Sequence, residues 1–141
     1  MDYATLAKDN PGLIMLRISG YGQTGPYRDL PGFGAIGESM GGLRYVSGHP
    51  DRPPVRVGIS IGDSVAALHG VIGAMMALRH RDVTGGRWNG KFGNECVSGR
   101  GQMVDVALYE SVFNLMESLV PEFDYAGVVR ERTGGALPGI V

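Results

Sequence analysis

Residues 55–81 read VRVGISIGDSVAALHGVIGAMMALRHR, and within them the spacing of apolar residues changes from two to about 3.6. Over residues 55–61 apolar and polar side chains alternate, which predicts a strand. From Ser64 onward apolar residues recur at helical spacing, and residues 79–81 supply the positive charge that favours a helix C-terminus. The apolar positions expected to face the core are Val65, Leu68, Ile72, Met75 and Met76. This stretch therefore predicts a strand followed directly by an amphipathic helix.

The residues before this stretch add a strand, a long loop and a short helix. The mostly apolar run LIMLRI at 13–18 follows a turn signal and predicts a buried strand. Residues 19–32, SGYGQTGPYRDLPG, are too rich in Gly and Pro for regular structure and predict a loop. Residues 33–47 predict a short helix that Gly41 and Gly42 interrupt. Long loops in compact domains often carry function, so this loop is a candidate site.

The residues after the stretch add one more strand and one more helix. Residues 88–99, WNGKFGNECVSG, are polar and aperiodic and predict an exposed loop insertion. Residues 102–108 predict a strand, residues 109–119 a helix, and the tail from Pro121 a loop. The order of these elements predicts an α/β fold in which short strands alternate with helices and long Gly-rich loops. A chain of 141 residues has the usual size of one domain.

Composition excludes several classes of partner. Thirteen basic and fourteen acidic residues give a net charge of −1, so no overall field favours nucleic acid or anionic lipid. No apolar stretch is expected to reach the roughly 20 residues that span a bilayer. Cys96 is the single cysteine, and with three scattered histidines it offers no zinc spacing, so we expect no disulfide and no metal site. We expect a cytoplasmic protein, with mitochondria and peroxisomes as alternatives.

The loop sequence GYGQTG at 20–25 matches the G-x-G-x-x-G fingerprint of dinucleotide-binding proteins and follows a predicted strand. A dinucleotide loop must open directly into a helix whose N-terminus faces the pyrophosphate. Here Pro26 and Pro31 keep the following residues irregular, so a nicotinamide cofactor is not expected. A turn-rich loop without a ligand is the simpler alternative at this point.

Asp63 lies between the predicted strand and the first turn of the predicted helix. Its position suits an N-cap, because Asp is among the preferred capping residues. The same position suits a nucleophile, because helix-terminal amides stabilise a negative charge. His69, six residues later, would point elsewhere on the helix, so it is expected to pack rather than form an acid/base dyad. Asp105 lies in a predicted strand and is expected to be structural.

Five blocks of sequence together resemble the family III (CaiB/BaiF) CoA-transferases. They are ISGYGQTGPY at 18–27, LPGF at 30–33, DRPPVRVGISIGDS at 51–64, TGGR at 84–87 and GQMVDVALYES at 101–111. The resemblance implies the fold of that family and an enzyme that moves coenzyme A from an acyl-CoA to a small carboxylic acid. It implies that Asp63 is the catalytic nucleophile, which forms an aspartyl mixed anhydride and then an aspartyl-CoA thioester. Coenzyme A would be a substrate and not a covalently bound cofactor.

The resemblance also implies that coenzyme A contacts residues of the loop at 19–32 and the residue after it, although this loop lacks the helix that dinucleotide binding requires. The residues that it implies for coenzyme A binding are Gly20, Gly22, Leu30, Pro31, Gly32 and Phe33. In the related α-methylacyl-CoA racemases a His occupies the position of Phe33. Racemisation needs two groups that exchange protons with the α-carbon, and Phe has none, so Phe33 favours transfer. A racemase or epimerase remains the alternative.

Family members are much longer than this chain and form interlocked homodimers. The resemblance therefore implies that residues 1–141 are a partial domain, the catalytic-aspartate region of a longer protein that is a homodimer. In the family TGGR or TGRG leads directly into GQ, which is why residues 88–99 are interpreted as an insertion. A third alternative is an inactive fragment that binds coenzyme A or a partner subunit.

Overall fold

The computed structural model describes residues 2–84 and 99–136, and within them it contains six helices and two strands. In chain order they are α1 (Tyr3–Asp9), β1 (Met15–Ser19), α2 (Gly34–Met40), α3 (Leu43–Val46), α4 (Ile61–Thr84), β2 (Met103–Ala107), α5 (Leu108–Phe113) and α6 (Leu119–Ala126). The two strands pair in parallel, from Met15 opposite Met103 to Ser19 opposite Ala107. A parallel pair needs a crossover connection, which α2, α3 and α4 supply. The predicted α/β fold class is confirmed.

Helix α1 begins at a side-chain cap that the sequence analysis missed. Asp2 accepts a hydrogen bond from the Thr5 amide at 2.7 Å, and this bond lowers the pKa of the Asp2 carboxyl. The helix ends before the Asn10-Pro11-Gly12 turn. An Asp directly before a short run of helix-compatible residues was the available signal.

The predicted strand at 55–61 is wrong. Residues 51–60 are exposed and belong to no helix or strand, and Gly58 adopts a φ of +83° that interrupts extended backbone. Alternation of side chains predicts a strand only where a neighbouring strand can complete the hydrogen bonds, and here none pairs with it among the described residues. Helix α4 accordingly begins at Ile61, three residues earlier than Ser64.

Helix α4 packs on the sheet through its small residues. An ideal Cβ added to Gly70 would lie 2.7 Å from Cδ2 of Leu16, and one added to Gly73 would lie 2.7 Å from Cγ1 of Val104. The buried residues of the helix are Gly62, Val65, Ala66, Gly70 and Ala77. Glycines at this interface let the helix backbone approach the strands closely.

The expectation that the large apolar residues of α4 face the core is wrong, except at Val65. Met75 and Met76 are 61% and 68% exposed, and Leu68 and Ile72 are 64% and 57% exposed. They occupy the face opposite the small residues, and no described element covers that face. Strand β1 was expected to be buried, yet Leu16 and Ile18 are exposed as well. Apolar surface of this kind is typical of an interface with a further chain segment or subunit.

The expectation that no apolar stretch is long enough to span a bilayer is wrong for α4. Its 24 residues include an 18-residue window with mean hydropathy 1.5, so by length and composition it could cross a membrane. Core helices of water-soluble proteins share this length and composition, and α4 packs one face on β1 and β2.

Helix α2 packs on α5 through two glycines one turn apart. An ideal Cβ on Gly37 would lie 3.1 Å from Cβ of Leu108, and one on Gly41 would lie 2.7 Å from Cβ of Val112. Gly42 follows with a φ of +92° and starts α3, so the predicted interruption of this helix is confirmed. Leu108 belongs to the buried cluster with Ala66 and Val106 that joins α4, β2 and α5.

We expect Gly41→Ala to destabilise the protein by about 1–3 kcal/mol, because the added methyl group must displace the Val112 side chain and the Tyr109 carbonyl. Gly135→Ala is the matched control, since nothing lies within 4 Å of an ideal Cβ there. Thermal unfolding of both variants measures the difference. Equal unfolding midpoints would show that α2 and α5 are not packed as closely as described.

The C-terminal part contains two short helices instead of one. Helix α5 ends at Phe113, and Glu117 adopts a left-handed φ of 50° before α6 begins at Leu119. The predicted loop from Pro121 is wrong over residues 121–126, because proline is tolerated in the first turn of a helix, where its missing N–H has no helical partner. Residues 127–136 belong to no helix or strand, as predicted. Arg130 binds Ser118 and Glu122 at this turn and lowers the pKa of the Glu122 carboxyl.

The predicted insertion at 88–99 falls almost entirely outside the described residues, as does Cys96. Both the insertion and the single-domain organisation stay predictions.

Candidate functional site

Asp63 is the third residue of α4, so it lies inside the first helical turn and not at the N-cap. The Ser64 amide donates to the Ser60 carbonyl at 3.1 Å, which places the start of the helix before Asp63. The capping alternative for Asp63 is therefore wrong. Its side chain is exposed, and across residues 2–84 and 99–136 no hydrogen bond to its carboxylate is found. The carboxylate lies where the helix dipole stabilises negative charge.

Gly34, the first residue of α2, contacts the Asp63 carboxylate. An ideal Cβ on Gly34 would lie only 2.7 Å from Oδ2 of Asp63, so a larger residue could not occupy position 34 with Asp63 in this place. Gly62 packs on the same residue, because an ideal Cβ on Gly62 would lie 3.3 Å from the Gly34 carbonyl oxygen. Two glycines thus let the N-terminal ends of α2 and α4 meet. The sequence analysis did not identify this role of Gly34.

Phe33 immediately precedes Gly34 and is the N-cap residue of α2. Its backbone is extended, with a φ of −150°, and its side chain is 60% exposed. Phe33 is thus one residue away from the glycine that contacts Asp63. Its aromatic side chain has no group that could exchange a proton.

The two ends of the loop at 20–32 contact each other. An ideal Cβ on Gly20 would lie 2.4 Å from the Cα of Gly32, so the two backbones are in direct contact. This contact brings the end of β1 next to the start of α2. The two groups of residues predicted to bind coenzyme A, Gly20 with Gly22 and Leu30 to Phe33, are consequently joined at one place. Leu30 is exposed there.

Asp105 of β2 holds the loop in place, as its expected structural role requires. The Gln23 amide donates to Oδ2 of Asp105 at 2.8 Å, and the Gln23 side-chain amide donates to the Ser19 hydroxyl at 3.2 Å. Gly22 has a φ of +82° and passes close to the same carboxylate oxygen. The loop is therefore attached to the sheet by a charged acceptor on the neighbouring strand.

We expect Asp105→Ala to loosen this loop. A hydrogen bond to a charged group contributes about 1.5–3 kcal/mol, and the partial exposure of this one favours the lower end. The Gln23 amide should then exchange with solvent about tenfold faster, as measured by hydrogen exchange. Asp105→Asn is the control, because its carbonyl oxygen can still accept the bond. Unchanged exchange in Asp105→Ala would contradict this account of the loop.

Aromatic contacts between three tyrosines connect the loop to α5. The rings of Tyr21 and Tyr27 lie 5.5 Å apart and those of Tyr21 and Tyr109 lie 6.1 Å apart. Tyr109 donates its hydroxyl to Glu110, and this bond raises the pKa of the Tyr109 phenol. The spacing of these tyrosines in the sequence gave no indication that they would cluster.

His69 forms hydrogen bonds away from Asp63. Asn114 donates its side-chain amide to Nε2 of His69 at 3.2 Å, so Nε2 is the acceptor and Nδ1 carries the proton. That Nδ1–H donates to the Val65 carbonyl at 2.9 Å. The ring therefore joins α4 to the end of α5, and the absence of a dyad with Asp63 agrees with the sequence-based expectation.

Glu38 is a charged residue that the sequence analysis overlooked. It is fully buried, at 0% exposure, one turn after Gly34 in α2. Arg56 approaches one carboxylate oxygen at 3.0 Å, and Arg44 approaches the other at 3.4 Å. No sequence pattern indicates this cluster, because Arg56 lies 18 residues away in a segment without regular structure.

Other candidate ligand sites are poorly formed in the described part of the chain. No group of three His, Cys, Asp or Glu side chains is placed to hold a metal ion there. Two open hollows of about 360 and 300 Å³ lie beside α5 and α1, and neither is lined by Asp63. Asp63 is exposed where the N-terminal ends of α2 and α4 meet.

Comparison with known proteins gives one consistent result. Residues 1–141 match the family model for CoA-transferase family III. Succinyl-CoA–D-citramalate CoA-transferase of Chloroflexus aurantiacus is 54% identical over 93% of this chain and 29% of its own length. Succinate–glutarate CoA-transferase of Agrobacterium fabrum is 31% identical over 99% of this chain and 32% of its own length.

The solved structures agree with the sequence matches. A CAIB/BAIF family protein from Brucella suis superimposes with a TM-score of 0.84 and 31% identity, over 100% of this chain and 34% of that protein. The chain spans about a third of the length of these proteins.

Proposed function

The chain belongs to CoA-transferase family III, and from this membership we propose that the protein that carries it moves coenzyme A from an acyl-CoA to a carboxylic acid. The relatives that support this proposal are themselves named as CoA-transferases. We propose further that residues 1–141 are the catalytic-aspartate region of a longer protein. The share of the relatives that this chain spans supports that part of the proposal.

In the proposed reaction Asp63 is the nucleophile. Its carboxylate attacks the thioester carbonyl of the acyl-CoA, which forms a mixed anhydride and releases the coenzyme A thiolate. The thiolate then attacks the aspartyl carbonyl, so the donor acid leaves and an aspartyl-CoA thioester remains. The acceptor carboxylate attacks this thioester, which forms a second mixed anhydride and releases the thiolate again. The thiolate then attacks the acyl carbonyl that came from the acceptor acid. The products are a new acyl-CoA and a free Asp63 carboxylate.

The single observation that carries this proposal is the position of Asp63. A nucleophilic carboxylate must be reachable and must not be occupied by donors from the protein. Asp63 meets both conditions, because it is exposed and is bordered by Gly34, which has no side chain. The start of α4 stabilises the carboxylate again when it is released at the end of the cycle.

The proposed coenzyme A contacts are Gly20, Gly22 and the residues from Leu30 to Phe33. The direct contact of Gly20 with Gly32 supports this proposal, because it brings these residues together next to Gly34. Gly20 and Gly22 are themselves buried, so the exposed residues Leu30, Pro31 and Phe33 are the ones that the ligand would reach first. Backbone without side chains allows close approach of an extended ligand such as the pantetheine arm. Asp105 would then act by holding this surface in place.

The proposed substrates are small dicarboxylic acids. The names of the relatives contain succinyl or succinate together with citramalate, malate or glutarate, and each of these acids has two carboxyl groups. We also propose that the longer protein is a homodimer. The exposed apolar face of α4 supports this proposal, because such a face is usually covered by another protein surface. A second copy or the rest of the same chain would supply that surface.

The experiment uses the full-length protein that contains this chain, with succinyl-CoA as donor and malate, citramalate, glutarate and carnitine as acceptors. The proposal predicts a new acyl-CoA only when an acceptor acid is present, with a preference for the dicarboxylic acids. Hydrolysis of succinyl-CoA without transfer to any acceptor would contradict it.

A racemase or epimerase is the second candidate, and Phe33 argues against it. Racemisation would exchange the α-hydrogen of a 2-methylacyl-CoA with solvent in the absence of any acceptor acid. We expect no deuterium at the α-carbon after incubation in D₂O. Exchange at a rate comparable to transfer would favour the racemase.

A further inference from the structure

The buried carboxylate of Glu38 is not used in the proposed reaction, although it lies in the helix that borders Asp63. Each of its oxygens faces one arginine, Arg56 at 3.0 Å and Arg44 at 3.4 Å. Removing a carboxylate from water costs several kcal/mol, which its partners must offset. Nε of Arg44 is in addition buried without a hydrogen-bond partner within the described residues. This cluster is therefore not the arrangement that maximises stability.

The two arginines come from different surroundings. Arg44 belongs to α3, which directly follows the helix of Glu38, so it adds a local contact. Arg56 belongs to residues 51–60, a segment that is exposed throughout and contains no helix or strand. Within the described residues its backbone also donates two hydrogen bonds to the residues just before it, from the Val55 amide to the Ser47 carbonyl at 3.1 Å and from the Arg52 amide to the His49 carbonyl at 3.3 Å. The ion pair with Glu38 thus fixes a segment that is otherwise weakly held.

This segment leads directly into the helix of Asp63. Six residues separate Arg56 from Asp63. In the described structure residues 57–60 make no backbone hydrogen bond except the one that starts α4. The position of the first turn of α4 therefore depends on where Arg56 is held at one end and on where Gly62 packs at the other.

Helix α2 provides both of these attachment points. Gly34 contacts Asp63 and packs on Gly62, and Glu38 binds Arg56. Residues four apart lie on the same face of a helix, about one turn from each other. One face of α2 thus holds the catalytic carboxylate and the segment that leads to it.

We propose that Glu38 and Arg56 form a positioning pair that sets the place of the Asp63 carboxylate relative to α2. This inference rests on the proposed role of Asp63. Replacing buried ion pairs by apolar residues is often neutral or stabilising, so a role in conformational specificity accounts for the pair better than stability does. A displacement of about 1 Å at a reacting group can reduce the rate about 100-fold.

The test compares three variants of the full-length protein, Arg56→Met, Arg56→Lys and Arg44→Met. We expect Arg56→Met to lower kcat about 10–100-fold with little change in KM for the acyl-CoA, because positioning and not binding is lost. Arg56→Lys keeps the positive charge and should recover part of kcat. Arg44→Met is the matched control, since it removes the other partner of Glu38 and should change thermal stability while kcat stays near that of the wild type.

Hydrogen exchange at the Val55 and Ser64 amides, which donate to the Ser47 and Ser60 carbonyls, provides a readout that does not depend on activity. It should become faster in Arg56→Met and remain unchanged in Arg44→Met. Wild-type kcat in Arg56→Met, or an equal loss of kcat in Arg44→Met, would overturn the positioning role. The proposed function fails in a different way, through a wild-type protein that transfers no coenzyme A. Exchange at Val55 and Ser64 that does not respond to Arg56→Met would overturn the inference in that case too.

Discussion

Asp63→Asn is expected to abolish transfer of coenzyme A, with kcat reduced about 10⁴-fold or more. An amide is not nucleophilic enough to attack a thioester, so neither the mixed anhydride nor the aspartyl-CoA can form. The folded structure should remain intact, because Asp63 is exposed and accepts no hydrogen bond within the described chain. Steady-state kinetics with succinyl-CoA and a dicarboxylic acid measure the loss, and circular dichroism verifies the fold.

The matched control for this variant is Asp82→Asn. Asp82 lies near the other end of α4 and pairs with the neighbouring Arg81 at 3.1 Å in an exposed position. It is the same type of residue in the same helix, at a distance from α2. We expect it to leave kcat unchanged. Substantial activity in Asp63→Asn, with Asp82→Asn equally active, would remove Asp63 from the reaction.

Gly34→Ala is expected to reduce kcat about 100-fold while the protein still folds. The new Cβ would lie 2.7 Å from Oδ2 of Asp63, which is closer than van der Waals contact permits, so the carboxylate must move. Displacement of a nucleophile by about 1 Å can cost this much in rate. Overpacking should also destabilise the fold by about 1–3 kcal/mol. Kinetics and thermal unfolding measure the two effects separately.

Gly37→Ala distinguishes displacement of Asp63 from general destabilisation. Gly37 lies in the same helix, and an ideal Cβ there would lie 3.1 Å from Cβ of Leu108, away from Asp63. The variant should lose stability by a comparable amount and retain kcat at temperatures well below unfolding. Equal losses of kcat in the two variants would show that Gly34 has no special relation to the nucleophile.

Local sequence was sufficient for the elements whose signals are local. The apolar runs that became β1 and β2 could be identified, and so could the interruption at Gly41 and Gly42. Residues 55–61 could not, because alternation of side chains does not reveal whether a partner strand exists. The orientation of α4 was also mispredicted. Large side chains such as Met75 were expected to be buried. In the structure small residues such as Gly70 face the sheet instead, because they let the helix approach the strands closely.

The candidate site likewise contains residues that local sequence indicates and residues that it does not indicate. Asp63 could be identified because its motif matches a family, although its position alone suggested only a helix cap. Gly34 and Glu38 could not be predicted, because their importance depends on contacts with Asp63 and Arg56, which lie far away in the sequence. The role of Asp63, the coenzyme A contacts, the homodimer and the cytoplasmic location stay predictions.

The most direct test of the catalytic role of Asp63 is chemical trapping of the acylated enzyme. The full-length protein is incubated with acyl-CoA, treated with hydroxylamine and digested, and the peptide that contains Asp63 is analysed by mass spectrometry. An aspartyl intermediate predicts a hydroxamate on Asp63 that requires both acyl-CoA and hydroxylamine and is absent from Asp63→Asn. An active protein that carries no hydroxamate on Asp63, or carries it on another carboxylate, would contradict this role.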